Sequence, residues 1–509
     1  MSSSTSAYQW LSLVGIIWVQ SVNGTNTNFP AYSSQLKHLL SMTQIQLNNL
    51  AFASDAGKLF GFISGIASSY LPLWLVLLIG ATLGLIGYGV QYLFLTSYIS
   101  SLSYVHIFLL TIIAGNSICW INTVCYLVSI RNFPTESQVS VGITTSYQGL
   151  SAKIYTVIVD ALFSSSFPAK RAKAYLLLNS TLPFLASVIA APLTRSTDFG
   201  THGRKVKTGF LVMFVITVAT GIYAVISTFG GNGMPVVKAI GILVFLLCPI
   251  LVPIAVKMRD LVVPKNGEAK VYNFSEEEGG MENGVKGGVE EIECVEEEIG
   301  GKKMLLRVNF WLYFSVYLSG ATVGLVYLNN LGQIAESRGC LTTSSLVSLS
   351  SSFGFFGRLI PSLLDFFFLR SRQMISRPGT IAALMAPMAG AFFLLIESSN
   401  TSLYISTAII GVCTGAITSI SVSTTTQLFG TKNFSINHNL VVANIPIGSF
   451  IFGYLAALIY HKEGTQDGKC FGIKCYQNTF ILWGSLCFLG TFLALILHSR
   501  MRNPCSQKS

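Results

Sequence analysis

Asp55, Lys58, Lys153 and Arg358 stand inside long apolar stretches of the chain. An unpaired charge at the middle of a bilayer costs about 2.5–3.5 kcal/mol even on the lenient insertion scale, so each needs a partner, a wet cavity or a ligand. Asp55 and Lys58 are three residues apart, which puts them on one face of a helix where each offsets the other. Structural pairing between helices is the competing account for these two. Lys153 and Arg358 are central, cationic and without a local partner, which is what capture of a small organic anion requires. Gln148, Asn26 and Asn329 are uncharged polar groups inside spans. They complete the candidate substrate-binding set, with interhelical hydrogen bonding as their alternative. Asp365, followed by Arg370 and Arg372, reads as an acidic–basic gating group at the end of its stretch.

Other chemistries lack their residues. The six His are dispersed, and no His/Cys cluster has the spacing of a metal site. His438, between Asn437 and Asn439, is a candidate for titration. There is no Gly-x-x-x-x-Gly-Lys-[Ser/Thr] loop for nucleotide phosphates and no nucleophile elbow or catalytic carboxylate pair. The chain therefore reads as a non-enzyme with no cofactor and no metal. Cys470 and Cys475 share a polar loop and can form a disulfide if that loop faces outward.

The elements that must hold these groups follow from composition. Of 509 residues, 51% are hydrophobic and only 10% charged, and the mean hydropathy is +0.60. A soluble protein carries about a quarter of its residues as charges. A soluble enzyme, a disordered protein and a disulfide-stapled secreted scaffold are excluded. Net charge is +11, but the Lys and Arg sit between apolar runs and form no patch, so nucleic acid is not a partner. The expected partners are the lipid bilayer and a small-molecule substrate, and the oligomeric state is left open.

Fourteen stretches are long enough to span, at roughly 10–30, 47–69, 72–96, 104–128, 136–162, 172–194, 208–229, 236–257, 305–333, 341–368, 379–397, 402–428, 435–460 and 478–499. They are continuous rather than alternating, so the fold class is an all-α polytopic membrane protein and not a barrel. Residues 268–298 hold eleven Glu against two Lys and read as a solvated linker. The expected organisation is a six-helix lobe (1–195), two linker helices (196–258), an acidic cytoplasmic loop (259–303), a second six-helix lobe (304–500) and a tail (501–509). With both termini inside, seventeen loop Lys and Arg fall on the inner side and nine outside, which favours that orientation. Small-residue runs over 49–65 and 345–365 echo each other and suggest two related halves.

Several stretches carry a specific resemblance. Gln20 to Gly24, Phe29 to Ser33, Leu47 to Leu50 and Ala53 to Lys58 resemble the opening of the plant nodulin-like proteins of the major facilitator superfamily, a group that includes the Nuclear Fusion Defective type. Gly115-Asn116, Arg131 to Pro134, Gly357-Arg358, Gln427 to Gly430 and Pro446 to Ser449 extend it over nearly the whole chain. Two departures stand out: Thr145-Ser146 replaces the Lys-Gly of many members, and Gln427 replaces a Glu. The resemblance implies a twelve-helix facilitator core with extra spans between its lobes, twelve to fourteen helices in all.

The resulting expectation is a secondary active transporter working by alternating access, moving a small solute such as an organic anion, with proton coupling an option. Its cavity would be lined by stretches 1, 2 and 5 of one lobe and 9, 10 and 13 of the other, with Lys153 and Arg358 facing it from opposite sides. A carrier of neutral or cationic solutes, and a non-transporting receptor or scaffold acting through the acidic loop, are the alternatives.

Overall fold

The computed structural model describes residues 2–163, 168–194, 203–229, 234–262, 298–339, 343–368, 376–464 and 470–502. Among them there is no strand, and fourteen membrane-length helices form the body. The first six are α1 (Ser2–Asn23), α2 (Ile45–Tyr70), α3 (Leu73–Leu95), α4 (Tyr104–Asn132), α5 (Ser137–Phe163) and α6 (Pro168–Ala190). Two more follow, α7 (Gly203–Phe229) and α8 (Pro235–Arg259). The last six are α9 (Val308–Ser337), α10 (Thr343–Phe368), α11 (Arg377–Leu394), α12 (Asn400–Phe429), α13 (Phe434–Lys462) and α14 (Gln477–Arg502). Ten of these are both long and apolar enough to cross a membrane by composition alone. The other four are α1, α5, α10 and α11. Three of them, α1, α5 and α10, are lined with Ser, Thr, Asn and Gln because they face protein more than lipid.

Burial separates centre from periphery. The apolar window of α12 is 72% buried, whereas that of α8 is 33% buried. Exposed Val237, Ile240, Val244 and Leu247 on α8, with Phe488 and Phe492 on α14, form apolar faces suited to lipid. The extra pair α7–α8 packs on both lobes. Trp10 of α1 stacks edge-on to Phe210 of α7, Trp18 donates to the Leu246 carbonyl at 2.7 Å, and Phe214 meets Phe366 of α10. It thereby covers the seam where α5 and α10 meet.

Breaks in the helices have local causes. The first stretch was expected to run to residue 30, but α1 stops at Asn23. Gly24 is pressed against α5, where an added Cβ would lie 2.7 Å from Ser151 Cβ, and Pro30 then enters a short 3-10 turn. In α9 a π-turn spans Leu318–Thr322, a feature common where side chains must be re-aimed. In α13 the chain breaks at Ala443, just before Pro446.

The α2–α4 crossing is the tightest backbone contact near the site. A Cβ on Gly115 would lie 1.8 Å from the Ser54 carbonyl oxygen, and one on Gly57 would lie 2.3 Å from Asn116 N. Both clashes are with backbone, which cannot swing aside as a side chain can. Gly115→Ala is expected to cost about 1–3 kcal/mol, the usual range for overpacking. Its melting temperature in detergent should fall well below that of Gly390→Ala, since a Cβ at Gly390 meets nothing within 4 Å.

Cys470 and Cys475 are joined as a disulfide in the α13–α14 connection. Of the acidic tract 268–298, only Glu298 is described; the rest lies outside the described residues. Glu298 accepts from the backbone N–H of Lys432 at 2.9 Å and of Thr431 at 3.3 Å, closing the start of α13.

Candidate functional site

Two polar contacts join the lobes, one between α2, α9 and α13 and one between α5 and α10. On the α2–α13 side, Asp55 is 1% exposed and its Oδ1 takes the Lys58 ammonium at 2.5 Å. Its Oδ2 accepts from Asn329 Nδ2 of α9 at 2.9 Å and from the Ser449 hydroxyl of α13. One carboxylate thus collects a cation from its own helix and two donors from the opposite lobe. The glycine stripe of α2 continues this seam: a Cβ on Gly61 would lie 2.7 Å from Asn439 Oδ1, and one on Gly65 2.9 Å from the Ser435 backbone.

On the α5–α10 side, Arg358 Nη1 crosses from α10 to the Gln148 side-chain carbonyl at 2.7 Å and the Thr145 backbone carbonyl at 3.1 Å. Gln148 in turn donates to Asn122 Oδ1 at 3.1 Å, which also accepts from Asn23 at 2.8 Å. No carboxylate lies within ion-pair distance of Arg358 among the described residues. Its guanidinium carries five donors, and those on Nη2 and Nε have no partner among the described residues.

Arg358 borders an interlobe cavity of about 50 Å³. Thr27 and Pro30 after α1, Gly149 and Ala152 of α5, and Leu325, Leu328 and Leu331 of α9 contribute, with Ser350, Ser351 and Gly354 of α10 and Gly411, Thr414 and Gly415 of α12 closing it. The expected lining helices α2 and α13 are absent from this wall and α12 takes their place, because α2 and α13 pack directly on each other through Gly61 and Gly65. The lobes also touch at both helix ends. Ser34 donates to Glu336 at 3.1 Å on one face, and Gln138 donates to Thr426 at 3.3 Å on the other.

The remaining candidates fall elsewhere. Lys153 does not share the Arg358 cavity. It lines a separate one of about 110 Å³ with Thr228 of α7 and Lys238 of α8, and its ammonium donates to the Thr228 hydroxyl at 2.8 Å. Asn26 lies in the turn after α1 and lines a small void with Tyr32, Ser54 and Tyr88. Asp365 meets Arg377 Nη1 at 3.4 Å, and Arg377 also donates to the Ser423 hydroxyl at 2.5 Å. Arg370 and Arg372 lie outside the described residues. His438 is buried against Phe434, with its Nδ1 3.3 Å from Thr425 Oγ1.

Two participants carried no sequence signal as partners. Ser449 and Arg377 are ordinary residues of their helices, and only the fold brings them to Asp55 and Asp365. Asn122 was visible as a polar group in a span, but its place between Asn23 and Gln148 was not.

Residues 9–256 match the family model described as Nodulin-like, and residues 291–507 match the one described as NFD4, C-terminal domain. Protein NUCLEAR FUSION DEFECTIVE 4 of Arabidopsis thaliana is 38% identical over 527 residues, with 97% of this chain and 89% of that protein covered. Probable transporter mch1 of Emericella nidulans is 24% identical over 229 residues, covering 37% of this chain and 36% of that protein. Among solved structures, one on substrate recognition in proton dependent oligopeptide transporters superposes with a TM-score of 0.55 at 12% identity, covering 98% and 99% of the two chains. A proton:xylose symporter of the major facilitator superfamily gives 0.54 at 10% identity, covering 97% and 95%. The identity and coverage settle kinship, and the superpositions settle architecture: the chain belongs to the plant nodulin-like family that includes NUCLEAR FUSION DEFECTIVE 4, and it has the major facilitator fold.

Proposed function

We propose that this protein is a membrane transporter working by alternating access, with a small organic anion as its solute. The observation that carries the reading is Arg358: a cation on the wall of an interlobe cavity, without an acidic partner among the described residues. An anion at Arg358 would compete with the Gln148 carbonyl for the guanidinium and so loosen one of the two interlobe links. Asp55 and Lys58 are the switching pair, because separating the lobes on their side breaks the bonds from Asn329 and Ser449. Hydrogen bonds to a charged group are worth about 1.5–3 kcal/mol each, enough to bias an equilibrium between closed and open forms. A relative named as a probable transporter, and a fold neighbour titled a proton:xylose symporter, support transport itself and leave the solute to the site.

Both termini are cytoplasmic in this proposal, which puts the Cys470–Cys475 disulfide on the outer face. The domain organisation is two six-helix lobes with α7–α8 between them and an acidic cytoplasmic loop after α8.

The test is uptake by the purified protein in proteoliposomes, across monocarboxylates, dicarboxylates, sugars and organic cations, at imposed membrane potentials and pH gradients. Saturable uptake confined to anions, with a response to potential or pH, is the expected result. Uptake confined to neutral or cationic solutes would overturn the anion assignment, and no saturable uptake in any class would overturn transport itself.

A further inference from the structure

The cavity around Lys153 lies outside the interlobe site just described, and we propose that it binds a phosphate group. Lys153 comes from α5, Thr228 and Lys238 from the extra helices, and Ser344, Ser345 and Ser348 from the start of α10. The first lobe, the extra pair and the second lobe therefore all contribute to one polar pocket. At roughly 15 Å³ per water, a cavity of about 110 Å³ takes on the order of seven waters, which leaves room for a tetrahedral oxyanion with part of its hydration.

The donor set matches that chemistry. Two ammonium groups and a ring of hydroxyls can each donate to an oxyanion, and charge-assisted bonds of this kind are the strong ones. Lys153 is 3% exposed, and no carboxylate lies within ion-pair distance of it among the described residues. Asp160 also lines the pocket, where Arg171 holds its carboxylate. Water alone would satisfy the serines. It would not account for a cation kept inside a membrane domain whose ammonium donates, among the described residues, to the Thr228 hydroxyl.

A phosphate group here would touch α5 of one lobe and α10 of the other through the extra pair. Occupancy would hold those two helices together and so favour the closed form. The phosphate can come from solution or from a lipid headgroup, since exposed Val236, Val237 and Ile240 place the flank of α8 toward lipid.

Two binding measurements on the full-length protein separate these sources. Equilibrium binding of radiolabelled inorganic phosphate is measured in detergent, and co-purified phosphatidic acid is counted by native mass spectrometry from nanodiscs containing it. Saturable binding is expected in at least one arm, weakened at least tenfold by Lys153→Met and by Lys238→Gln, and retained in Arg358→Lys. Should Lys153→Met elute as aggregate, Lys238→Gln and Thr228→Val carry the comparison. Saturable binding in neither arm, or binding indifferent to the pocket variants, overturns the site. Loss in Arg358→Lys equal to that in the lysine variants also overturns it, by moving the anion to the central cavity. Because the readout is binding, the result is independent of whether any solute is transported.

Discussion

Asp55→Ala is expected to cost about 3–5 kcal/mol of stability, because it leaves the Lys58 ammonium buried without its counter-charge. The pair is close, at 2.5 Å, and the two side chains are 7% and 1% exposed. Solvent therefore screens little of the attraction, and nothing else among the described residues replaces the lost charge. Asp55→Ala combined with Lys58→Met should recover most of the loss, since replacing a buried ion pair with apolar groups is often neutral. Thermal melting followed by size-exclusion chromatography checks both variants, and a double variant no more stable than the single would sink the argument. Transport adds a second reading. The double variant lacks the bonds from Asn329 and Ser449 that close the lobes on the α2–α13 side. If it folds yet transports at the parental rate, the pair is a structural strut and not a switch.

Arg358→Ala should reduce uptake of the anionic solute by at least about tenfold while leaving the protein folded. Loss of one hydrogen bond to a charged group is worth about 1.5–3 kcal/mol, and each 1.4 kcal/mol is a factor of ten. Arg358→Lys is expected to restore little of it. An ammonium keeps the charge but loses the planar fork, which here spans Gln148 and Thr145 with Nη1 and leaves Nη2 and Nε for a ligand. Initial uptake rates over a range of solute concentrations decide the matter. A raised half-saturation concentration with an intact maximal rate assigns Arg358 to binding, and unchanged kinetics in both variants remove it from the site.

Much of the architecture was legible along the chain. Twenty-residue apolar runs are a local property, and thirteen of the fourteen expected spans meet their helices with end shifts of a few residues. The exception, α1, ends seven residues early because Gly24 is set by contact with Ser151 of a distant helix. The Asp55–Lys58 pair was equally local: a spacing of three residues fixes it within one helix.

The site was legible only in its expensive members. Sequence marked Lys153 and Arg358 as costly charges and expected them to face one cavity, whereas they line separate ones. On α5, each residue turns about 100° from the last. Ala152 lines the cavity of Arg358, and Lys153, the next residue, is turned toward α7 and α8. Which of those directions meets the other lobe depends on how α5 is rotated against α10 and on where the extra pair docks.

Taken alone, the amino-acid order determined that this chain is an all-helical polytopic membrane protein, and which side chains could not sit in lipid unaided. Those properties follow from hydropathy and spacing within single helices, so no knowledge of neighbours was required. The partners of Asp55, the separate pockets of Lys153 and Arg358, and the pairing of Asp365 with Arg377 were decided only by tertiary packing. Each depends on helices far apart in sequence meeting at one rotation and one depth, and no single helix carries that information.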